Sequence, residues 1–596
     1  MTRADVGRRE DLDMCLYQAG VAVLGGNLDR GDVWIWRRPE REQFGDWTTN
    51  VAMQVFSRLE PEKKKLYQSP LGLAEKIADK LKDDTGLKSF LERIEILPPG
   101  FINLYLNNQS KVQLLAEMVT KSREKIIGRR VIVEYSSPNI AKPFTVGHLR
   151  STVIGQAVAN LLEATGWRVY RDNHLGDWGT QFGKQVVAIE KWGNWEEIEQ
   201  SETPIRELVA LYVKFHQEAE KDSTLEEEAR QVFAQMEQGN EKYLSLWQKI
   251  IDLSMKEFGR IYDYLGVHFT ENDGLGYGES FVRDKTDGVV QELREKGLLR
   301  ESQGAQVVDF PDEKNWPAFL ILKQDGSTLY QTRDLAMDKW RRETYGPEIK
   351  VINEVGREQS LYFQQLYRLE ERLGWYRPGQ RVHVGHGLYR FKDRKMSTRR
   401  GDVVWLDDLL REIESKVAQM SKEQLSENDK RIIAAGALVW NDVSREPMSD
   451  IAFDFQAMLN LKGNSGPYMQ YTAVRVQSVL QKGENEPVNG KKLKELINRE
   501  KIEKILRSSA MDEWSDDEMR LVGKLLRYNE VVWQAADNLA PYVLANYLYE
   551  VAQEFNNFYA QSKIVGDERR MTLTAVVGLV LSDGLGILGI QIPSKM

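Results

Sequence analysis

Between residues 131 and 183 the apolar positions change period twice. Residues 131–135 are a short run rich in β-branched side chains, the pattern of a buried strand. After a polar loop containing Ser137, Pro138 and Asn139, apolar residues recur at helical spacing. Leu149, Val153, Ala157, Leu161 and Ala164 form one stripe, which predicts a helix from about Gly147 that Gly166 stops. Val169 then sits in a second strand. A strand–loop–helix–strand unit of this kind opens a nucleotide-binding parallel sheet.

Flanking patterns extend this frame. Around residues 44–50 a turn gives way to a helix, and the alternating run 101–106 after Pro98-Pro99-Gly100 reads as a strand, so residues 1–120 form a small α+β domain. Residues 121–405 carry the sheet, interrupted at about 193–300 by a polar, helical insertion. The sheet resumes at 307–310 and 316–323, Asp325-Gly326 makes a hairpin turn, and residues 329–334 run into a helix. A further strand lies at 382–385. From about 406 to 596 the chain is helical almost throughout, including the ending 588–596.

The chain of 596 residues is 41% hydrophobic and 29% charged, an ordinary globular balance for three or four domains. One cysteine, Cys15, excludes a disulfide framework and a cysteine-built zinc site. No segment has the apolar length of a membrane span. The best candidate, 572–592, is broken by Ser582, Asp583 and Gly584 and reads as core helices. The start of the chain has no charged-then-apolar leader pattern, so a cytoplasmic location is expected. The net charge of −8 argues weakly against nucleic acid; local clusters matter more than the total, and the basic spots at 37–38, 121–130, 392–400 and 491–494, taken singly, read as solvated faces and not as phosphate sites.

Candidate chemistry concentrates at the loop-to-helix junction. Gly147 admits close approach of a ligand, and the free N–H groups of the helix start favour phosphate. His148 stands at the same end and can donate to phosphate oxygens as charge builds there. The run Gly274–Gly276–Gly278 lacks a Lys-Ser/Thr ending and reads as a turn, not a phosphate loop. Tyr330 and Asp334 are four apart at a strand-to-helix transition and can face one ligand.

Together SSPN, the Thr145-Val146-Gly147-His148 run with its GHLRST continuation, HLGDWGTQFG, Tyr330-x-x-x-Asp334 and Lys395-Met396-Ser397-Thr398-Arg399-Arg400-Gly401 resemble the class I arginyl-tRNA synthetases. Their "HIGH" and "KMSK" signatures correspond to residues 145–148 and to the loop at Lys395. The resemblance extends to the amino-terminal patches and to the helical carboxyl-terminal region entered at Gly463–Tyr471.

It implies an α/β fold: a Rossmann-type parallel catalytic sheet, an amino-terminal α+β domain that contacts the tRNA elbow, and an all-α anticodon-binding bundle. It implies ATP, accompanied by Mg²⁺ with no dedicated protein metal site, as co-substrate with L-arginine and tRNA(Arg), in a monomer without membrane attachment. Catalysis falls to His148, Lys395 and Thr145, and ATP binding to Gly147, His148, Lys395, Met396 and Ser397. Glu134, Tyr330 and Asp334 would grip the substrate's guanidinium, while Ser137, Asn139 and Gln359 would hold its ammonium and carboxylate end. The physics fits, because a permanently charged planar fork needs carboxylates and tolerates an aromatic face.

Two positions depart from the family pattern. Thr145 replaces the first signature His, and Tyr362 stands where a His usually follows Gln359. Losing one charge-assisted contact costs about 1.5–3 kcal/mol, or about 10- to 100-fold in rate, so a slower or retuned enzyme is expected. The rival readings are a catalytically impaired paralogue acting as an RNA-binding or regulatory protein, and another class I synthetase or nucleotidylyltransferase.

Overall fold

A computed structural model describes residues 6–25, 33–39, 41–121, 123, 125–390, 404–420, 424–483, 493–509 and 514–596. The chain divides into two compact units, each assembled from separate stretches. The first comprises Met1–Glu124, Arg475–Gln534 and Tyr547–Asp583.

Its amino-terminal part is built on a three-stranded antiparallel sheet in the order β1–β3–β2, from β1 (Trp47–Thr49), β2 (Leu91–Leu97) and β3 (Phe101–Leu106). The run 101–106 is the expected strand. Residues 47–49, read as part of a turn, are a short strand pairing with β3. Helices pack on this sheet around a closed core that includes Leu16, Trp36, Ile77, Ile102 and Leu104. The helix Asn108–Thr120 lies against the helices Arg499–Ser508 and Asp516–Leu526. Arg38 pairs with Glu530 at 2.9 Å and Arg123 with Asp583 at 2.7 Å, so the early residues and later helices of the chain are tied together in this unit.

The second unit comprises Lys125–Val474, Ala535–Asn546 and Gly584–Met596. At its centre β4 (Arg130–Glu134) and β5 (Arg168–Asp172) pair in parallel. Val131, Ile132 and Val133 are buried, as the β-branched run requires. The helix Val146–Ala164 joins the two strands and ends before Gly166, whose φ of +96° favours a residue without Cβ.

The strands β6 (Arg300–Ser302), β7 (Ala305–Val308) and β8 (Phe319–Leu322) do not rejoin this sheet. They form a separate three-stranded antiparallel sheet, which corrects the expectation that the parallel sheet resumes there. Asp325-Gly326 makes the expected turn, with Lys323 N–H donating to Ser327 O and Gly326 at φ +77°.

Beyond it β9 (Lys350–Gly356) and β10 (Arg381–His386) complete the parallel sheet in the order β10–β9–β4–β5. A two-stranded pair, β11 (Tyr389–Arg390) with β12 (Ile451–Ala452), follows. The insertion is helical, its longest element being Glu241–Leu265.

Two further expectations are corrected. The helix Glu568–Ile587 runs unbroken through Ser582, Asp583 and Gly584. Ser582 donates to the Leu579 carbonyl and Asp583 is engaged by Arg123 and Tyr528, so neither polar side chain ends it. By length and composition this helix could cross a membrane, but 78% of its apolar window is buried inside the protein. The ending 588–596 is not helical. Gly589 at φ +79° turns the chain, after which the Gln591 carbonyl accepts from Gln470 and the Ser594 N–H donates to Asp429 at 2.7 Å.

Candidate active site

In the order β10–β9–β4–β5 the connections reverse direction between β4 and β9, and ligands of open parallel sheets bind at such a switch point, beyond the strands' carboxyl ends. Glu134 closes β4, Asp172 closes β5, and Asn353 lies in β9 beside Glu134. Among the described residues, those singled out from the sequence lie in the loop after β4, the helix that follows it, the helix Tyr330–Tyr345 and the turn after β9.

The loop after β4 holds three non-glycine residues at positive φ: Ser136 (72°), Ser137 (45°) and Ala141 (57°). Residues in this region are held there by their surroundings and cluster at ligand clamps. Ser136 N–H donates to Ser151 Oγ at 2.9 Å, and Ser137 N–H donates to Asn173 Oδ1 at 3.0 Å. Ser137 Oγ is buried without a hydrogen-bond partner. Asn139 forms a bridge to Gly176 in the segment after β5.

Thr145 caps the helix that follows. Its Oγ1 accepts from Gly147 N–H at 3.2 Å, which satisfies an orphan donor of the helix start. Thr145 N–H donates to His148 Nδ1 at 3.1 Å. Because Nδ1 accepts there, the ring's proton sits on Nε2 and the imidazole is neutral. Burial, with Lys142 nearby, pushes His148 down to about 4, in agreement. His148 is thus an uncharged N–H donor at a helix amino terminus, with the exposed Gly147 beside it. The segment after residue 403 returns to this point. Val146 N–H donates to Val404 O at 3.3 Å and Leu406 N–H to Phe144 O at 3.0 Å. Lys395, Met396 and Ser397 lie outside the described residues.

Tyr330 and Asp334 share one face in the first turns of the helix Tyr330–Tyr345, so the four-residue spacing does place them together. Tyr330 is about half exposed (46%), with its ring 5.2 Å from that of Tyr362. Tyr362 donates its hydroxyl to Asp334 Oδ2, and His174 Nε2 lies 3.3 Å from Asp334 Oδ1. Gln359 sits exposed in the turn Arg357–Gln359 after β9.

Glu134 does not stand open. Arg341 NH2 reaches its Oε2 at 2.5 Å, and Asn353 Nδ2 donates to Oε1 at 2.8 Å. The same guanidinium nitrogen also holds Asp172 at 2.6 Å, and NH1 holds Asp338 at 3.0 Å. Burial alone would raise Glu134, but Arg341 and His174 outweigh it and keep the carboxyl below its ordinary value. Glu134, His174, Asp334, Asp338, Arg341 and Asn353 line a cavity of about 30 Å³, room for roughly one water.

Sequence reasoning passed over His174, Arg341 and Asn353. His174 lies in the quoted HLGDWG run directly after β5, and that position was its signal. Arg341 and Asn353 carried none, since an Arg on a helix and an Asn in an apolar strand have no local pattern that marks a buried contact. The glycine run 274–278 also has a use beyond a turn. A Cβ on Gly276 would lie 2.3 Å from the Asn173 carbonyl. Its absence lets Tyr277 donate N–H to Asp172 Oδ1 and accept from His174 Nδ1 at 2.9 Å.

Comparison with known proteins places the chain in a family. Residues 111–455 match the model for the catalytic domain of class I tRNA synthetases (R), residues 469–596 the DALR anticodon binding domain, and residues 22–106 the arginyl tRNA synthetase N terminal domain. The arginine–tRNA ligase of Clostridium acetobutylicum is 38% identical over 575 residues, covering 94% of this chain and 95% of that one. The chain belongs to the class I arginyl-tRNA synthetases.

The corresponding ligase of Exiguobacterium sibiricum is 36% identical across 96% of this synthetase and 98% of its own length. In fold the synthetase is similar to the arginyl-tRNA synthetases of Thermus thermophilus (TM-score 0.75, 22% identity, 99% and 100% of the chains) and Plasmodium falciparum (TM-score 0.75, 21% identity, 99% of each). Within this arginyl-tRNA synthetase, Thr145 serves as a helix cap and Tyr362 as a donor to the Asp334 carboxylate.

Proposed function

We infer that this chain is an arginine–tRNA ligase that activates L-arginine with ATP and transfers it to the 3′ end of tRNA(Arg). The observation that carries the arginine assignment is Asp334, a carboxylate fixed between Tyr362 and His174 with the half-exposed Tyr330 ring beside it. A guanidinium fits that combination of charge and aromatic face. Arg341 supports the reading by satisfying Glu134 and Asp172 from inside, which leaves Asp334 to meet the substrate and Glu134 to hold Arg341 and Asn353 in place. Ser137, Asn139 and Gln359 take the ammonium and carboxylate end of arginine.

The reaction has two steps. The arginine carboxylate attacks the α-phosphorus of ATP, the bond to the bridging oxygen breaks, and pyrophosphate leaves. The terminal ribose hydroxyl of tRNA then attacks the adenylate's carbonyl, releasing AMP. Catalysis here is positioning plus charge stabilisation. His148 donates its Nε2 proton in a hydrogen bond to phosphate oxygen without passing through a charged state, and Gly147 gives the backbone room to approach. Lys395, with Met396 and Ser397, steadies the pyrophosphate. Mg²⁺ enters with ATP as part of the substrate. The enzyme works in the cytoplasm as a monomer.

Activation needs bound tRNA. With purified enzyme, arginine and labelled pyrophosphate, exchange into ATP is expected only after tRNA is added. Full exchange without tRNA removes that dependence, and no aminoacylation of total tRNA with labelled arginine removes the assignment itself. The rival of a catalytically impaired paralogue finds no support, since the end-to-end relatives are themselves named arginine–tRNA ligases.

A further inference from the structure

His174 lies at the centre of the arginine site and has no part in the reaction as described. Its two ring nitrogens face two acceptors. Nδ1 is 2.9 Å from the Tyr277 carbonyl, which can only accept, so Nδ1 carries a proton. Nε2 is 3.3 Å from Asp334 Oδ1, and an unprotonated nitrogen so close to a carboxylate would be repelled by it, so Nε2 carries one as well. The contact is an ion pair without aligned hydrogen-bond geometry, because Nε2 is buried and makes no hydrogen bond. Tyr362 holds the other carboxylate oxygen with its hydroxyl. Both oxygens that a guanidinium fork needs are therefore engaged, one firmly and one loosely.

We propose that His174 is a proton-releasing positioning residue for arginine: it holds Asp334 as an imidazolium in the free enzyme and loses its Nε2 proton to solvent when the substrate's guanidinium takes over Oδ1. The inference rests on the reading of Asp334 as the arginine carboxylate. In the step the Nε2–H bond breaks, the proton passes to buffer, and the neutral ring stays anchored through Nδ1–H on Tyr277. Charge on the pocket is conserved as one cation replaces another.

The groups facing the ring come from every neighbouring element. They are Glu134 from β4, Asp334, Asp338 and Arg341 from the helix Tyr330–Tyr345, Asp177 from the segment after β5, and Glu279, itself paired with Arg333 at 2.7 Å. Burial alone would lower the imidazole, but the close contact with Asp334 and the charge of Glu134 outweigh it and push His174 up to about 10. A group raised in this way stabilises the fold fully below its unfolded value near 6.5 and loses that contribution as pH rises through about 10. At neutral pH the proton is therefore present to be released.

Calorimetry of arginine binding to the full-length enzyme at pH 8, in buffers of differing ionisation enthalpy, reads the release directly. Close to one proton should leave per arginine bound, and the Kd for arginine should fall by up to about tenfold per pH unit from pH 7 to 9. H174Q should bind arginine with no proton release and a flat pH profile. Nitrogen-15 shifts of the labelled wild-type histidines, six in all, provide a readout that needs no variant. One imidazole should change from doubly protonated to neutral on adding arginine. Arginine heat with no proton exchange, or the same exchange in H174Q, overturns the role of His174 and leaves the pocket standing. Absence of any arginine binding by the folded enzyme overturns the pocket and the proposal together.

Discussion

In the proposed site Asp334 is the side chain that would meet the substrate's guanidinium, and its contacts with Tyr362 and His174 make the expected effect of changing it specific. Asp334→Asn keeps the shape and the Tyr362 contact but removes the charge opposite the guanidinium. A charged hydrogen bond is worth about 1.5–3 kcal/mol, so the KM for arginine should rise about 10- to 100-fold with the KM for ATP nearly unchanged. Steady-state kinetics against both substrates checks this, and equal rises would show that Asp334 does not meet arginine. Thr145 was read from the sequence as a catalytic residue in the place of the missing signature His, and the structure gives it a helix cap. Thr145→Val should lower stability by about 1 kcal/mol, seen as a reduced denaturation midpoint, whereas Thr145→Ser should retain it. What the sequence could not show was which partner each polar side chain would choose. The roles of Thr145, Glu134 and His174 depend on residues far away in the chain or on backbone atoms that no motif names.

At the scale of elements, the strand–loop–helix–strand unit at 130–172 was legible because its apolar periods are strong and its stop glycine is unambiguous. The strands near 305–322 were visible as strands, but their alternating burial says nothing about which sheet they join, and they formed their own. The helix through 582–584 defeated the reading for a related reason. Polar residues inside an apolar run look like a break until tertiary partners such as Arg123 satisfy them.

The parallel sheet also depends on a cross-brace no local pattern reveals, Arg341 tying the ends of β4 and β5 to its own helix. Arg341→Met would strand Glu134 and Asp172 as unpaired buried carboxylates, at a cost of about 3–5 kcal/mol. Without Arg341, burial would carry the Glu134 carboxyl above its unfolded value, and it would take up a proton on folding. The stability deficit should shrink as pH falls from 8 towards 5, which denaturant titration at the two pH values measures. An equal deficit at both would assign the loss to packing instead of charge.

For the whole molecule, the first unit joins residues 1–124 to helices from 475–583, so the amino-terminal domain is also structural support for the carboxyl-terminal one. Removing residues 1–120 should expose the apolar faces of the helices Arg499–Ser508 and Asp516–Leu526, including Ile502, Leu506, Leu521 and Leu525. Limited proteolysis should then cut within 475–583 far faster than in the full chain, and unchanged protection would show that those helices stand alone. Motif order along the chain disclosed the family but not this interleaving, because helical amphipathicity marks a buried face without naming what covers it. The interleaving also has a temporal side. At about 5–20 residues per second on the ribosome, residues 1–124 emerge many seconds before the helices that complete their unit. Having its own closed core, the leading segment can fold at once, but the outer face of Asn108–Thr120 stays uncovered until the helices Arg499–Ser508 and Asp516–Leu526 have been made. That waiting surface is where a nascent-chain chaperone would find its grip.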